Sequence, residues 1–322
     1  MPNVQRVHLD RALTNISIGY SNESYIADQI FKPVSVAKQS DKYYVYGMES
    51  FRMHNDLRSP GTEANEIDWT FSNDQYFTEG HALRTAIADE VQLNADEVFN
   101  LEADGTQLIM DGILQNKEYD AANTLLNPAN YHAKLKVTMG QTGAPKKWSD
   151  PDSDPRLDIA KAKAEMHKVA GLRPNTLIIS ESVLNVLLLH PKLAAMVQYV
   201  QTPVLTLEQL KMLLGVQNII VGSAMFSSQN QGQVQPGAIE PLGYIWGNSA
   251  VLAYIAPAPG KKTVSLGYSF NWSAAGNGTI QTRKWYETGR KATVIETEYF
   301  YAHKMISNVA AFLFADAVVP FA

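Results

Sequence analysis

The chain has no cysteine among its 322 residues. That excludes disulfides, thiolate nucleophiles and cysteine-ligated metals, and leaves packing or assembly to stabilise it. Charge is also sparse: 18% of residues are Asp, Glu, Lys or Arg, and the formal net charge is −5. A protein built to neutralise phosphates would carry the opposite sign, so direct recognition of nucleic acid is not expected. No apolar run is long enough to span a membrane. The most apolar stretch, Val309 to Phe314 extended by Ala317 to Ala322, is interrupted by Asp316 and Pro320 and reads as a buried strand. Met1-Pro2-Asn3-Val4-Gln5-Arg6 has no apolar run behind it and reads as neither signal peptide nor anchor. What is present, 45% hydrophobic residues, can build a sizeable core.

Chemistry is equally scarce. There is no glycine-rich phosphate loop, G-x-S-x-G elbow, H-E-x-x-H or dinucleotide fingerprint. The histidines, His8, His54, His81, His132, His167, His190 and His303, are scattered, with no two at ligand spacing. Asp150, Asp152, Asp154 and Asp158 are spaced like the carboxylates of a calcium loop, but Pro155 stands where an EF-hand needs glycine and Lys161 where it needs glutamate. A solvated Asx/Pro loop accounts for them. No catalytic residue, metal or cofactor is expected, and the chain does not read as an enzyme.

The charge is unevenly placed. From Asp41 to Asp104 there are fourteen acids against four bases (Lys42, Arg52, Arg58, Arg84), a balance of −10. From Pro257 to Ala322 seven bases (Lys261, Lys262, Arg283, Lys284, Arg290, Lys291, Lys304) face four acids, +3, and residues 130–173 carry +4. A solvated acidic face would explain the first block; complementarity between copies of the chain would explain all three, fixing register more than affinity.

Residues 1 to about 35 read as an extended arm that must dock to be ordered. Tyr43-Tyr44-Val45-Tyr46 and Ile67-Asp68-Trp69-Thr70-Phe71 read as strands, with the polar Asn55 to Glu63 between them, so the pair forms a long two-stranded projection. Isolated hairpins are marginal in water, so another surface should support it. Helical spacing predicts one long helix over Asp96 to Leu126, weakened at Gly105 and Gly112 and ended by Asn127-Pro128. Lys134 to Val137 reads as a strand and Asp158 to Ala170 as a helix stopped by Gly171. Asn175 to Ser180 reads as a buried strand, Glu181 to Leu189 as a helix, Pro191 as the start of another, and Thr206-Leu207-Glu208-Gln209 as a capping box closed by Gly215. Strands are expected at Asn218 to Val221, Tyr244 to Trp246 and Val251 to Ile255. They are also expected over Thr263 to Trp272 and Thr279 to Phe314, with Asn277-Gly278 as a hairpin turn. The fold class is α+β, its last strands returning to a core begun earlier.

This order of blocks resembles the major capsid proteins of tailed phages. So do several stretches: Tyr20-Ser21-Asn22-Glu23-Ser24-Tyr25-Ile26-Ala27-Asp28, Phe51-Arg52-Met53-His54-Asn55-Asp56-Leu57-Arg58, Gly61-Thr62-Glu63-Ala64-Asn65-Glu66-Ile67, Ser180-Glu181-Ser182 with His190-Pro191-Lys192, and Trp285-Tyr286-Glu287. The resemblance implies the capsid fold: an N-terminal arm (1–35), an extended loop (36–82), a peripheral domain (83–174 and 257–322) with a spine helix (96–126), and an axial domain (175–256). It also implies self-assembly into hexamers and pentamers enclosing DNA, in the virion and, during assembly, the host cytoplasm. A separate scaffolding protein, a portal and a decoration protein are the implied partners, with no membrane and no sequence-specific binding of the DNA. Contacts between subunits are expected at Arg52, Arg58, Glu63 and Glu66 on the loop and at Arg283, Lys284, Arg290 and Lys291, with Glu63 and Glu66 facing one or more of those four bases on a neighbour. The loop's distal part has no lysine, only Lys42 at its base, so shells without covalent cross-links are expected. Two alternatives stay open: an encapsulin-like compartment shell, and a soluble α+β enzyme whose acids and histidines converge only in three dimensions.

Overall fold

The structure, a computed structural model, describes residues 25–46, 53, 56–58, 60–61, 63–64, 66–67, 71–94, 100–197, 205–227, 242–258, 264–274 and 278–319. Two five-stranded sheets share one long helix. The first contains β1 (Lys32–Val36), β4 (Glu79–Ala88), β11 (Gly267–Trp272), β12 (Gln281–Glu287) and β13 (Ala292–Met305). The second runs in the order β5 (Lys136–Thr138), β14 (Ala311–Ala315), β10 (Ala250–Ala253), β6 (Thr176–Ser180) and β7 (Asn218–Gly222).

The helix α3 (Leu101–Leu126) follows α1 (Ala27–Ile30) and α2 (Asp89–Asn94); its 26 residues span about 39 Å at the usual rise. The Asn100 side chain caps it, accepting from the Ala103 N–H at 3.2 Å. Its first half lies on the first sheet, where Ile109 and Ile113 pack with Ile87, Ile295, Tyr299 and Tyr301. Its second half enters the other core through Ala121, Ala122 and Leu125. The glycines that weakened the helix in sequence have a packing role. A Cβ on Gly112 would stand 3.0 Å from the Leu83 side chain and one on Gly105 3.1 Å from Thr85, so both let the helix lie close on β4. No break occurs at Gly105.

The second sheet is buried on both faces. Along β10, Ala250 and Leu252 point into one core while Val251 and Ala253 point into the other, and β6 and β14 alternate in the same way. One core is closed by α4 (Pro155–Ala170), α5 (Glu181–Leu189), α6 (Pro191–Val197) and α7 (Leu207–Leu214). The other is closed by α1, the end of α3 and Trp246. The caps expected at Gly171 and Gly215 are left-handed, with φ of 67° and 61°, and the Thr206–Gln209 capping box is formed.

Several expectations are corrected. The projection's strands are β2 (Ser40–Tyr46) and β3 (Phe71–Phe77), antiparallel; the expected strand at 67–71 is displaced towards the C-terminus, and 68–70 lie outside the described residues. β4, ten residues long, was not anticipated: Ala82-Leu83-Arg84-Thr85-Ala86-Ile87 is rich in alanine and weak in strand propensity, and the register along β13 imposes the conformation. Residues 245–246 form a turn after β9 (Leu242–Tyr244), which pairs with β8 (Met225–Ser227). Gly278 has φ of +76°, yet β11 and β12 do not form a hairpin. Both pair with β13, which carries β4 on its opposite edge, so they lie end to end along one edge. The hairpin turn is at 288–291, where Lys291 takes the left-handed conformation. The helix expected from Asp96 is seen from Leu101; 95–99, like the arm residues 1–24, lie outside the described residues.

Candidate functional site

The expected contact residues fall in two places. Arg52 lies outside the described residues, whereas Arg58, Glu63 and Glu66 are exposed on the stretch between β2 and β3. The bases of the last strands are already engaged: Lys284 meets Glu102 of α3 at 2.6 Å, Arg283 meets Glu298 across the strand pair at 3.2 Å, and Arg290 meets Glu287 at 3.8 Å. Lys291 sits in the turn, its carbonyl accepting from the Asp89 N–H. Among the described residues no ion pair joins the two groups, which the sequence had placed on different copies. The acidic loop is likewise occupied internally. Lys146 meets Asp150 and Asp152, each at 3.2 Å, and Asp154 caps α4, accepting from the Leu157 N–H.

A second charged cluster is buried. Glu118, fully enclosed, accepts from the N–H of Ile26 (2.9 and 3.0 Å) and Ala27 (2.8 Å) and from Trp246 Nε1 (2.6 Å). Its neighbour Lys117 reaches the other way, pairing with Asp28 at 2.6 Å and donating to the Tyr299 hydroxyl at 3.4 Å, beneath the Tyr299 and Tyr301 rings. Tyr25 donates to Asp111 and Tyr301 to Asp120. Together these fasten the first described segment to α3.

Burial raises the Glu118 pKa, only partly offset by its N–H donors. For Lys117 burial works against the charge, but Tyr299 and Asp28 outweigh it and the ammonium is favoured. Burial, with the Lys117 charge adding to it, lowers His303 to about 3. Sequence reasoning missed this cluster. The signal was there: Lys117 lies four residues from both Ile113 and Ala121, on the stripe that should be apolar.

The arrangement holds segments together and offers no nucleophile paired with a base. The buried Ser153 and His190 approach at 3.0 Å, but the serine hydroxyl donates to the Asp150 carbonyl, so it is a loop tie. Among the described residues no three His, Asp or Glu side chains converge as a metal site.

No family model matches the chain. It is 27% identical over 296 residues to the major capsid protein of Burkholderia phage BcepMu, covering 91% of each. Among solved structures it is similar to a phage-related protein from Bordetella bronchiseptica RB50, at 26% identity and a TM-score of 0.75, covering 98% of this chain and 99% of that one. The capsid structure of cyanophage P-SCSP1u matches in fold, at 10% identity and a TM-score of 0.60 over 92% of this chain and 89% of the other. The BcepMu relative is a capsid protein, in keeping with a structural and non-enzymatic chain.

Proposed function

We propose, from the premise that the chain belongs with the phage major capsid proteins and has their fold, that copies of it assemble into hexamers and pentamers. These would close an icosahedral head around phage DNA. The observation that carries this is the projection. Among the described residues β2 and β3 pair with each other and with no strand of the two large sheets, and side chains along and beyond them, Met53, Leu57, Ile67 and Phe77, are exposed by 101, 84, 61 and 56%. A two-stranded ribbon with an apolar tip is poorly stable alone and needs a surface from another copy.

In this reading residues 1–35 are the arm, 36–82 the extended loop, 83–174 and 257–322 the peripheral domain with α3 as its spine, and 175–256 the axial domain. The second sheet joins the last two, since β5 and β14 flank the axial strands. Glu63 and Glu66 of one copy would approach Arg283, Lys284, Arg290 or Lys291 of the next. The shell would be non-covalent, assembled in the host cytoplasm with a separate scaffolding protein, and a portal and a decoration protein would complete the virion.

The test is negative-stain electron microscopy of the purified protein with light-scattering mass on the same sample. Closed shells, or rings of five and six copies, are expected. A stable monomer or dimer at high concentration, unchanged when a scaffolding protein is supplied, would overturn the proposal. Reversing Glu63 and Glu66 to lysine together should impair assembly while leaving the subunit's circular dichroism unchanged.

A further inference from the structure

Along the chain, four residues connect the projection to the body. β1 ends at Val36 and β2 starts at Ser40, while β3 ends at Phe77 and β4 starts at Glu79, so 37–39 and Thr78 form the whole neck. Short connections between sheets usually leave their carbonyls to water. Here side chains take them. Trp272 Nε1 donates to the Ala37 carbonyl at 3.2 Å and the Tyr76 hydroxyl to the Lys38 carbonyl at 3.3 Å. The Gln39 carbonyl accepts both the N–H (2.9 Å) and the hydroxyl (3.1 Å) of Thr78, and the Gln39 side-chain amide returns a bond to the Thr78 carbonyl at 3.0 Å. Just below, the Val36 carbonyl accepts from the N–H and hydroxyl of Ser273, at 2.8 and 2.9 Å. Thr78 is fully buried. Above the neck the Tyr76 ring stacks on Phe270 of β11, centroids 4.5 Å apart and 17° from parallel, and Tyr43 packs on the same ring at 5.8 Å.

We propose that this neck is a rigid joint, in which Gln39, Thr78, Tyr76 and Trp272 set the direction of the projection and, through it, the angle at which neighbouring copies meet. The seven residues of β2 extend about 23 Å, so a tilt of roughly 5° at the neck displaces their far end by about 2 Å. A displacement of that size is enough to break a hydrogen bond at the contact it reaches. The rigidity of the neck is a property of the single subunit. Its consequence for shell geometry rests on the assembly proposed above.

The absence of cysteine makes the test clean, because spin labels go only where they are placed. Asn73→Cys on β3 and Asn123→Cys on α3, both exposed, report the projection against the body; Asn123→Cys with Arg156→Cys on α4 reports the body alone. The unmodified neck should give one narrow dipolar distance between Asn73→Cys and Asn123→Cys. Gln39→Ala with Thr78→Val should broaden or shift it by several ångströms, leaving the body pair unchanged. An unchanged projection distance in that variant overturns the rigid joint. If the body pair changes too, Trp272→Phe, which keeps a ring against Phe300, decides in the same way. Shells from neck variants should differ in diameter from unmodified ones. Equal diameters alongside altered distances would overturn the link to shell geometry. Failure of the unmodified protein to form any shell would overturn the assembly proposal while the distances still decide the neck.

Discussion

Glu118 is the side chain on which three segments meet, and its removal should be felt in all of them. In Glu118→Ala the N–H groups of Ile26 and Ala27 and the indole N–H of Trp246 lose their acceptor. An orphaned buried donor costs ~1–3 kcal/mol, which would give ~3–9 kcal/mol if all three stayed buried. Two effects reduce that. Small shifts of the Ile26–Ala27 backbone can recover part of the lost bonding, and the variant no longer buries a carboxylate. A net loss of ~2–4 kcal/mol follows. Glu118→Gln, which keeps one acceptor oxygen but turns an amide N–H towards donors, should lose about half as much. The pH dependence has a definite sign. Burial raises the folded pKa above the unfolded one, so the folded state takes up the proton first, and this group's contribution to stability falls as pH rises through the folded pKa. The Glu118→Gln variant, whose amide does not titrate, should lack that slope. The assay is urea unfolding of the unassembled subunit followed by tryptophan fluorescence, with hydrogen exchange at the Ile26 and Ala27 amides. A loss under ~0.5 kcal/mol in Glu118→Ala with unchanged protection of both amides would refute the reasoning.

Among the described residues neither ring nitrogen of His303 makes a hydrogen bond, and its folded pKa, about 3, lies below the ordinary value. Stability is therefore present above about pH 6.5 and lost as pH falls towards 3, by at most ~1.4 kcal/mol per unit. His303→Phe, placed against Phe31 and Tyr301, should flatten that acid limb in urea titrations at successive pH values; an unchanged limb would contradict it. A Cβ on Gly267 would stand 2.3 Å from the Lys304 carbonyl oxygen, whereas one on Gly289 meets nothing within 4 Å. Gly267→Ala should lose ~2 kcal/mol or more and Gly289→Ala stay within ~0.5 kcal/mol, measured by thermal unfolding.

How far the sequence carried depended on whether structure was set locally. Gly171, Gly215 and Pro191 act through their own backbone and Thr206 through a side chain that caps the backbone three residues on, and the elements they bound lie where they were expected. The all-apolar run Leu177-Ile178-Ile179 could only be a strand buried on both faces, and it is. Where pairing decided, local signals misled. Asn277-Gly278 has hairpin chemistry, but β11 and β12 on either side of it each pair with β13, and no local pattern records which strand an edge will accept. β4 is a strand because β13 lies beside it and glycines let α3 cover it. The Glu118–Lys117 cluster was hidden because charged residues in a helix are read as its solvent face, and only the three-dimensional path of residues 25–31 reverses that.

The charge pattern needs the same correction, and it changes what should hold copies together. Reading the tail's bases as bare cations suggested that a neighbour's glutamates would be drawn to them. Arg283, Lys284 and Arg290 already hold Glu298, Glu102 and Glu287, so an incoming Glu63 or Glu66 exchanges one partner for another. Exposed pairs are worth ~0–1 kcal/mol, and an exchange between them nets close to zero. Burial of the exposed tip is larger: a Leu or Ile side chain taken fully from water contributes ~1.5–3 kcal/mol, and Met53, Leu57 and Ile67 are all available. Charge should then govern register through repulsion of wrong partners, and apolar contact should govern affinity. Neutralising Glu63→Gln with Glu66→Gln should therefore leave assembly nearly intact, although reversing both to lysine sets like charges against Arg283 and Arg290. Leu57→Asp with Ile67→Asp should abolish assembly while the subunit still folds. Sedimentation of assembly reactions at low and high salt separates the two terms. Assembly that the double glutamine variant loses and the double aspartate variant keeps would place the affinity in the ion pairs.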